Sequence, residues 1–207
     1  MKNMSQKHLS RMLSKLFDFY MPKIYLEQYI TPSDVAAELL WSFNMRGFIK
    51  DKNVLDLGAG TGVLGIGALL LGAKKVTFFE KDEDAILTLK KNIALIEEEY
   101  ELPEYEIVQG DISSIQGVFD SIIMNPPFGT KIKRMDTLFL NKAFELSNII
   151  LSIHKSSTKE YILQTYKDND YKIIEMFDFN YALKKTFEHH IKPVKNIEVS
   201  GFFAMKS

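Results

Sequence analysis

A chain of 207 residues, 46% hydrophobic and 12% aromatic, has enough apolar material to bury one full core, and a single domain spanning 1–207 is the economical reading. A formal net charge of −1 excludes a grip on nucleic acid spread over the whole surface, so any such contact must come from local clusters of basic residues. Cysteine is absent, which excludes disulfides and thiolate metal sites, and the four histidines, His8, His154, His189 and His190, lack the spacing of a zinc site, so no metal is expected. No apolar run reaches the roughly 18 residues of a membrane span and no uninterrupted signal-peptide core occurs, so a cytoplasmic protein without membrane association is expected.

The first acidic residue is Asp18. Before it, Lys2, Lys7, His8, Arg11 and Lys15 are interleaved with Leu9, Met12, Leu13, Leu16 and Phe17 at helical spacing. This predicts an amphipathic basic helix, either docked with its charged face in solvent or in contact with nucleic acid. A further helix is expected near 34–44. A short apolar strand at 53–57 then runs into a glycine-rich turn and an apolar helix at 63–71. Gly58, Gly60 and Gly62 follow Asp56 as G-x-G-x-G, not as the G-x-G-x-x-G that seats a dinucleotide pyrophosphate on a helix N-terminus. An acid directly before the glycines suits an ammonium better than a phosphate, so the turn fits the amino-acid end of S-adenosylmethionine.

A strand at 75–80 ends in Glu80, near the interval of about 20 residues at which an acid accepts both ribose hydroxyls. A helix at 83–98 leads to Glu97, Glu98, Glu99, Glu101 and Glu104, read as a solvated helix end and loop. The strand at 105–109 is followed by Asp111, which can accept from the exocyclic amine of an adenine. One such acid is an ordinary strand terminus or helix cap; acids at the ends of three successive strands favour a shared adenosine-containing ligand.

The strand at 120–124 opens onto Asn125, Pro126, Pro127 and Phe128. An exocyclic amine on a flat base is a poor nucleophile, because its lone pair is delocalised into the ring. Two acceptors that hold its hydrogens draw the nitrogen toward tetrahedral geometry. The side-chain oxygen of Asn125 and the backbone carbonyl of Pro126 can be those acceptors, both prolines fix the backbone, and Phe128 offers a face for stacking. The alternative is a proline-stiffened turn; the upstream motifs favour the chemical reading. The segment is expected to border an open pocket and to contribute little to the core. Lys131, Lys133 and Arg134 come next, placed for phosphates beside a bound base. A helix at 136–147, a strand at 149–153, a helix at 157–168 and strands at 171–179 and 197–205 complete the chain. Lys184, Lys185, His189, His190, Lys192 and Lys195 form a third basic stretch between the last two strands, which lack an intervening helix and should pair antiparallel. The pattern predicts an α/β fold: a single-domain, doubly wound, mainly parallel sheet of seven strands with an antiparallel last strand.

With these residues in view, the segments Leu26-Glu-Gln-Tyr-Ile-Thr31, Asp56-Leu-Gly-Ala-Gly-Thr-Gly62, Asp82-Glu-Asp-Ala85, Asn125-Pro-Pro-Phe-Gly-Thr-Lys131 and Ser152-Ile-His-Lys-Ser-Ser-Thr158 resemble the small archaeal and eukaryotic methyltransferases that modify adenine in small-subunit ribosomal RNA. The resemblance runs over nearly the whole chain. It implies a class I, Rossmann-like methyltransferase fold and S-adenosylmethionine as cofactor. It implies that an N-terminal helical segment, 1–50, lends Gln28 and Thr31 to the cofactor site of a catalytic sheet at 51–207. By the same resemblance Asp56, Gly58, Gly60, Thr61, Gly62 and Val63 hold the amino-acid end of the cofactor, Glu80 its ribose, and Asp111 with Ile112 its adenine. Asn125 to Phe128 hold the target base, with Asn125 also beside the cofactor, and Lys155 joins Lys131, Lys133 and Arg134 in contacting RNA. His154 belongs to the same signature, as either a hydrogen-bonded structural residue or a substrate contact. Members often carry Cys where Ala59 stands and Asp where Glu80 stands, and residues 132–135 lack the small polar side chains expected there. Eukaryotic members work with a small zinc-binding activator protein, which here would pair with an edge strand near Tyr105 to Gln109. The same Asn-Pro-Pro-aromatic chemistry also serves DNA adenine and protein glutamine, and two readings outside that chemistry remain: a nicotinamide oxidoreductase and a non-catalytic cofactor-binding module.

Overall fold

The computed structural model describes residues 4–128, 135–182 and 196–207. Lys131, Lys133 and Arg134 and the basic stretch from Lys184 to Lys195 lie outside the described residues. The chain opens with α1 (Gln6–Leu13), where the Ser5 hydroxyl accepts from the His8 backbone N–H and caps the first turn. The helix stops at Ser14, so Leu16 and Phe17 leave it although they fit its apolar period. Leu16 is buried, whereas Phe17 is 54% exposed and is held through its backbone. The apolar face of α1 docks on α2 (Ser33–Met45), which fixes the charged face outward, and Lys15 pairs there with Glu99. The acidic run at the end of the fourth helix is exposed as expected, with Glu99 pairing at the surface with Lys15 and Glu97 accepting from the Tyr105 hydroxyl.

Seven strands form one sheet: β1 (Asn53–Leu57), β2 (Lys75–Glu80), β3 (Glu104–Gln109), β4 (Ser121–Met124), β5 (Ile149–Lys155), β6 (Tyr171–Ala182) and β7 (Asn196–Lys206). Their order is β3-β2-β1-β4-β5-β7-β6, with β1 to β5 parallel and β7 antiparallel to both its neighbours. The expected antiparallel last strand is thus present. β6 extends beyond the expected 171–179, because its pairing with β7 continues to Ala182 opposite Asn196. Helices α3 (Val63–Leu70), α4 (Glu83–Glu97), α5 (Met135–Leu146) and α6 (Lys159–Asp168) complete the crossovers. α6 starts two residues later than its pattern suggests, since Ser156–Thr158 form a 3-10 turn.

Alternation along the strands splits the core into two layers. Val54, Ile123, Leu151 and Phe203 face α1 to α4 through Leu9, Leu40, Phe43, Ile66 and Leu89. Leu55, Ile122, Ile150 and Phe202 face α5 and α6 through Leu140, Ala143, Ile162 and Tyr166. The chain winds outward from β1 through β2 to β3, then returns to place β4 on the other side of β1. That reversal leaves a crevice beyond the carboxyl ends of β1 and β4, where the glycine turn and Asn125 emerge. β3 and β6 are the two edges. Among the described residues no helix is long and apolar enough to cross a membrane.

Candidate active site

The crevice holds a cavity of about 280 Å³. Every residue expected at the cofactor lines it except Gly62. Gly62 instead starts α3 at φ 88°, where a Cβ would come within 2.2 Å of Leu89 Cδ1, so its role is to let helix and turn close. Gly60 faces the ring of Phe19, and a Cβ there would lie 2.9 Å from it. Gly58 and Ala59 donate to the Phe79 carbonyl at 2.8 and 3.0 Å, which stitches the turn to β2.

The three acids sit as the strand pattern requires, each already engaged. Asp56 is 1% exposed and its Oδ2 accepts from the Gly65 N–H at 2.8 Å. Burial pushes its carboxyl up to about 7, against the lowering effect of the Gly65 bond and with a further rise from the Glu80 charge. Glu80 accepts from Gly60 N–H at 2.8 Å through Oε2 and from Lys81 and Asp82 N–H at 2.8 and 2.9 Å through Oε1. Asp111 caps the turn at Ile112–Ser114, and the bonds from Ser113 N–H and hydroxyl hold its carboxyl below the usual range.

Phe19 and residues 25–31 form another wall. Gln28 lines the cavity, but its amide donates to Asp82 at 2.6 Å and accepts from Lys23 N–H at 2.7 Å, so it also anchors the segment. Lys23 pairs with Asp82 and with Asp84. Asn92, fully buried on α4, accepts from Phe17 N–H and donates to the carbonyls of Phe17 and Thr61. Among the residues of this cavity to which sequence reasoning gave no role, three stand out. Phe19 and Phe139 flank the glycine turn, and Glu27, a 7% exposed carboxylate at φ 52°, lines the wall. No local pattern marks Phe19 or Phe139, and Glu27 lies within the segment Leu26 to Thr31 without a role assigned to it there.

On the far side Asn125 donates through Nδ2 to Thr31 Oγ1 at 2.9 Å, and its Oδ1 is buried with no hydrogen-bond partner. Pro127 lines the cavity; Pro126 and Phe128 do not. Phe128 is only 7% exposed and packs into the layer under α1 to α4, with the Lys155 ammonium 5.8 Å from its ring centroid. The expectation that this segment contributes little to the core is corrected at Phe128, whose ring has hydrophobic neighbours that an open pocket would not provide. His154 is 1% exposed, neither ring nitrogen has a hydrogen-bond partner, and burial pushes it down to about 3, so it is neutral. It rests edge-on against Phe202 and is not the hydrogen-bonded structural residue that was one of its two readings.

Carboxylates outnumber cations around the cavity, with Glu27, Asp56, Glu80 and Asp111 against Lys81. That set suits a ligand bringing ammonium and hydroxyl donors without phosphate, and a glycine turn seated at a switch point lets it approach the backbone. The protein class so defined is the S-adenosylmethionine-dependent methyltransferases of class I fold. The family described as conserved hypothetical protein 95 matches residues 34–175. Over 203 residues the chain is 37% identical to the rRNA N(6)-adenosine-methyltransferase METTL5 of Danio rerio, covering 95% of this chain and 96% of that relative. It is 35% identical to the rRNA N(6)-adenosine-methyltransferase Mettl5 of Drosophila melanogaster, covering 96% and 95%. A crystal structure of a candidate RNA methyltransferase from Pyrococcus horikoshii superposes with a TM-score of 0.88 at 38% identity over 98% of both chains. The chain belongs to the conserved hypothetical protein 95 family and to the family of the METTL5 methyltransferases.

Proposed function

We propose that this enzyme transfers the methyl group of S-adenosylmethionine to the exocyclic N6 amine of an adenine in small-subunit ribosomal RNA. The observation that carries the reading is the buried, unpartnered Oδ1 of Asn125 beside a cavity suited to the cofactor. A buried acceptor left open is a standing cost of about 1–3 kcal/mol, which an incoming amine N–H removes. The relatives at 37% and 35% identity, named for rRNA N6-adenosine methylation, support adenine in ribosomal RNA as the target.

In this reading Asp56 and the turn from Gly58 to Val63 receive the amino-acid end of the cofactor, Glu80 accepts from the ribose hydroxyls, and Asp111 with Ile112 takes the adenine. When bound, S-adenosylmethionine supplies a methyl group on a sulfonium, already an electrophile. Asn125 Oδ1 and the Pro126 carbonyl hold the two hydrogens of the target amine, which frees its lone pair and aims it at the methyl carbon. Once methylated, the nitrogen is acidic and gives its proton to water. The base must leave its stack to reach this depth, which favours a flexible or single-stranded stretch of RNA. Lys155, with Lys131, Lys133 and Arg134, supplies the local positive charge that the net charge of the chain does not. A small zinc-binding partner adding a strand to β3 completes the proposal, supported by the edge position of β3 and by Val108, 39% exposed on it.

Incubation with labelled S-adenosylmethionine and separate pools of unmodified small-subunit RNA, large-subunit RNA, DNA and protein tests this. The expected product is N6-methyladenosine in the small-subunit pool. Label confined to large-subunit RNA would overturn the choice of subunit, and label in DNA or glutamine would overturn the substrate class.

A further inference from the structure

We infer that Thr31 is a positioning residue for methyl transfer: its hydroxyl accepts from Asn125 Nδ2 and holds the amide in place with Oδ1 open toward the target base. The inference rests on the reading of Asn125 as the acceptor for the amine. A primary amide has two ends of nearly equal shape and opposite hydrogen-bonding sense, an acceptor oxygen and a donor NH2. Only the oxygen can hold an amine hydrogen; the NH2 turned toward the base would set donor against donor. In the structure Nδ2 is committed to Thr31 Oγ1 at 2.9 Å, which leaves Oδ1 as the buried open acceptor.

The two residues are 94 positions apart, and Thr31 is held by elements that do not depend on the base pocket. Pro32 restricts Thr31 to extended backbone and begins α2, where the Pro32 carbonyl accepts from Ala36 N–H at 2.9 Å. α2 is anchored in turn by Val35, Ala36, Leu39, Leu40 and Phe43, all buried. Thr31 is itself only 5% exposed, and a β-branched side chain has few rotamers, so the hydroxyl arrives at a fixed place. Asn125 by contrast follows the last residue of β4 and precedes two prolines, which fix its backbone but not the torsions of its side chain. The N-terminal segment thereby reaches through the cofactor cavity to set the chemistry on the opposite wall.

Single-turnover methylation of small-subunit RNA at saturating S-adenosylmethionine separates these roles. The variants are Thr31→Val, Thr31→Ala, Thr31→Ser, Asn125→Ala and the Thr31→Val, Asn125→Ala pair, each with its melting temperature and cofactor Kd. Thr31→Val is expected to slow transfer about tenfold, the scale of one lost hydrogen bond in a preorganised site. Thr31 also lines the cofactor cavity, so the Kd for S-adenosylmethionine is measured beside the rate, and the slowing should persist once the cofactor is saturating. Thr31→Ala, which places no buried methyl where the hydroxyl was, should reproduce the slowing, and Thr31→Ser should restore most of the rate. The pair should be no slower than Asn125→Ala alone, because both changes remove one interaction. A parent rate in Thr31→Val or Thr31→Ala, a defect explained wholly by weaker cofactor binding, or additive losses in the pair would overturn the inference while leaving Asn125 in place. A parent rate in Asn125→Ala overturns the reading of Asn125 and this inference with it.

Discussion

On the cofactor wall Glu80 accepts three backbone N–H bonds, Asp56 one, and Asp111 two bonds from Ser113, whereas across the cavity Asn125 Oδ1 has none, and on neighbouring β5 both ring nitrogens of His154 have none. The difference follows from charge. A carboxylate taken from water is costly at every moment, with or without ligand, so the fold must supply donors to it permanently. A neutral amide oxygen costs far less to leave open and can wait for its substrate. The acidic wall is therefore largely satisfied by the chain itself, Asp56 least so, and in the proposed reading the Asn125 wall is completed by the base that enters it.

Breaking the base wall gives the largest expected effect. Asn125→Ala should lower the single-turnover rate by roughly 10²–10³ with fold and cofactor affinity intact, in line with loss of one polar group that stabilises developing charge. A parent rate in a folded, cofactor-bound variant would reduce the segment to a stiff turn. Phe128→Ala comes next and tests the packing beneath the same wall. With the ring 7% exposed and outside the cavity lining, it should cost about 3 kcal/mol in a denaturant melt. A change well under about 1 kcal/mol would mean that the ring packs loosely enough to leave the core without loss.

The cofactor wall should respond more gently. Glu80→Ala is expected to weaken S-adenosylmethionine binding by about 1–3 kcal/mol in calorimetry, with no binding of NAD by parent or variant. Unchanged affinity would remove Glu80 from the ribose site. The smallest effect is a pH dependence. Burial raises Asp56 to about 7, and only its charged form attracts an ammonium, so affinity should rise about tenfold between about pH 6 and pH 8 and flatten in Asp56→Asn. Without ligand the sign reverses: the folded value lies above the ordinary 3.8, so the folded state holds the extra proton and stability falls as pH rises from about 4 through about 7. A flat profile in the parent would place the ammonium elsewhere.

The cofactor wall was also the more legible of the two. Its glycines and acids sit at strand ends, and the βαβ repeat converts spacing along the chain into neighbouring positions in space, so the pattern from Asp56 to Asp111 maps onto one cavity. Nothing local marks Phe19, and the segment holding Glu27 gives it no role, because residues 17–31 are placed by the side chains of Asp82 and Asn92, far away in sequence. The burial of Phe128 was illegible for a related reason. An aromatic after two prolines is compatible with a rim or a core, and the choice is made by the layer of helices it meets. The end of α1 was overrun because Leu16 and Phe17 keep its period after the backbone has left it.

Asn92 does not line the cavity, yet three hydrogen bonds make it the common fastener of α4, residue 17 and the carbonyl of Thr61 in the glycine turn. A substitution there would pass unnoticed in any comparison restricted to ligand-contacting positions. Its effect would still reach both walls, since the segment it fastens carries Gln28 and Thr31. In this chain a change at position 92 is expected to act on the site through that segment and not as the neutral drift of a helix interior.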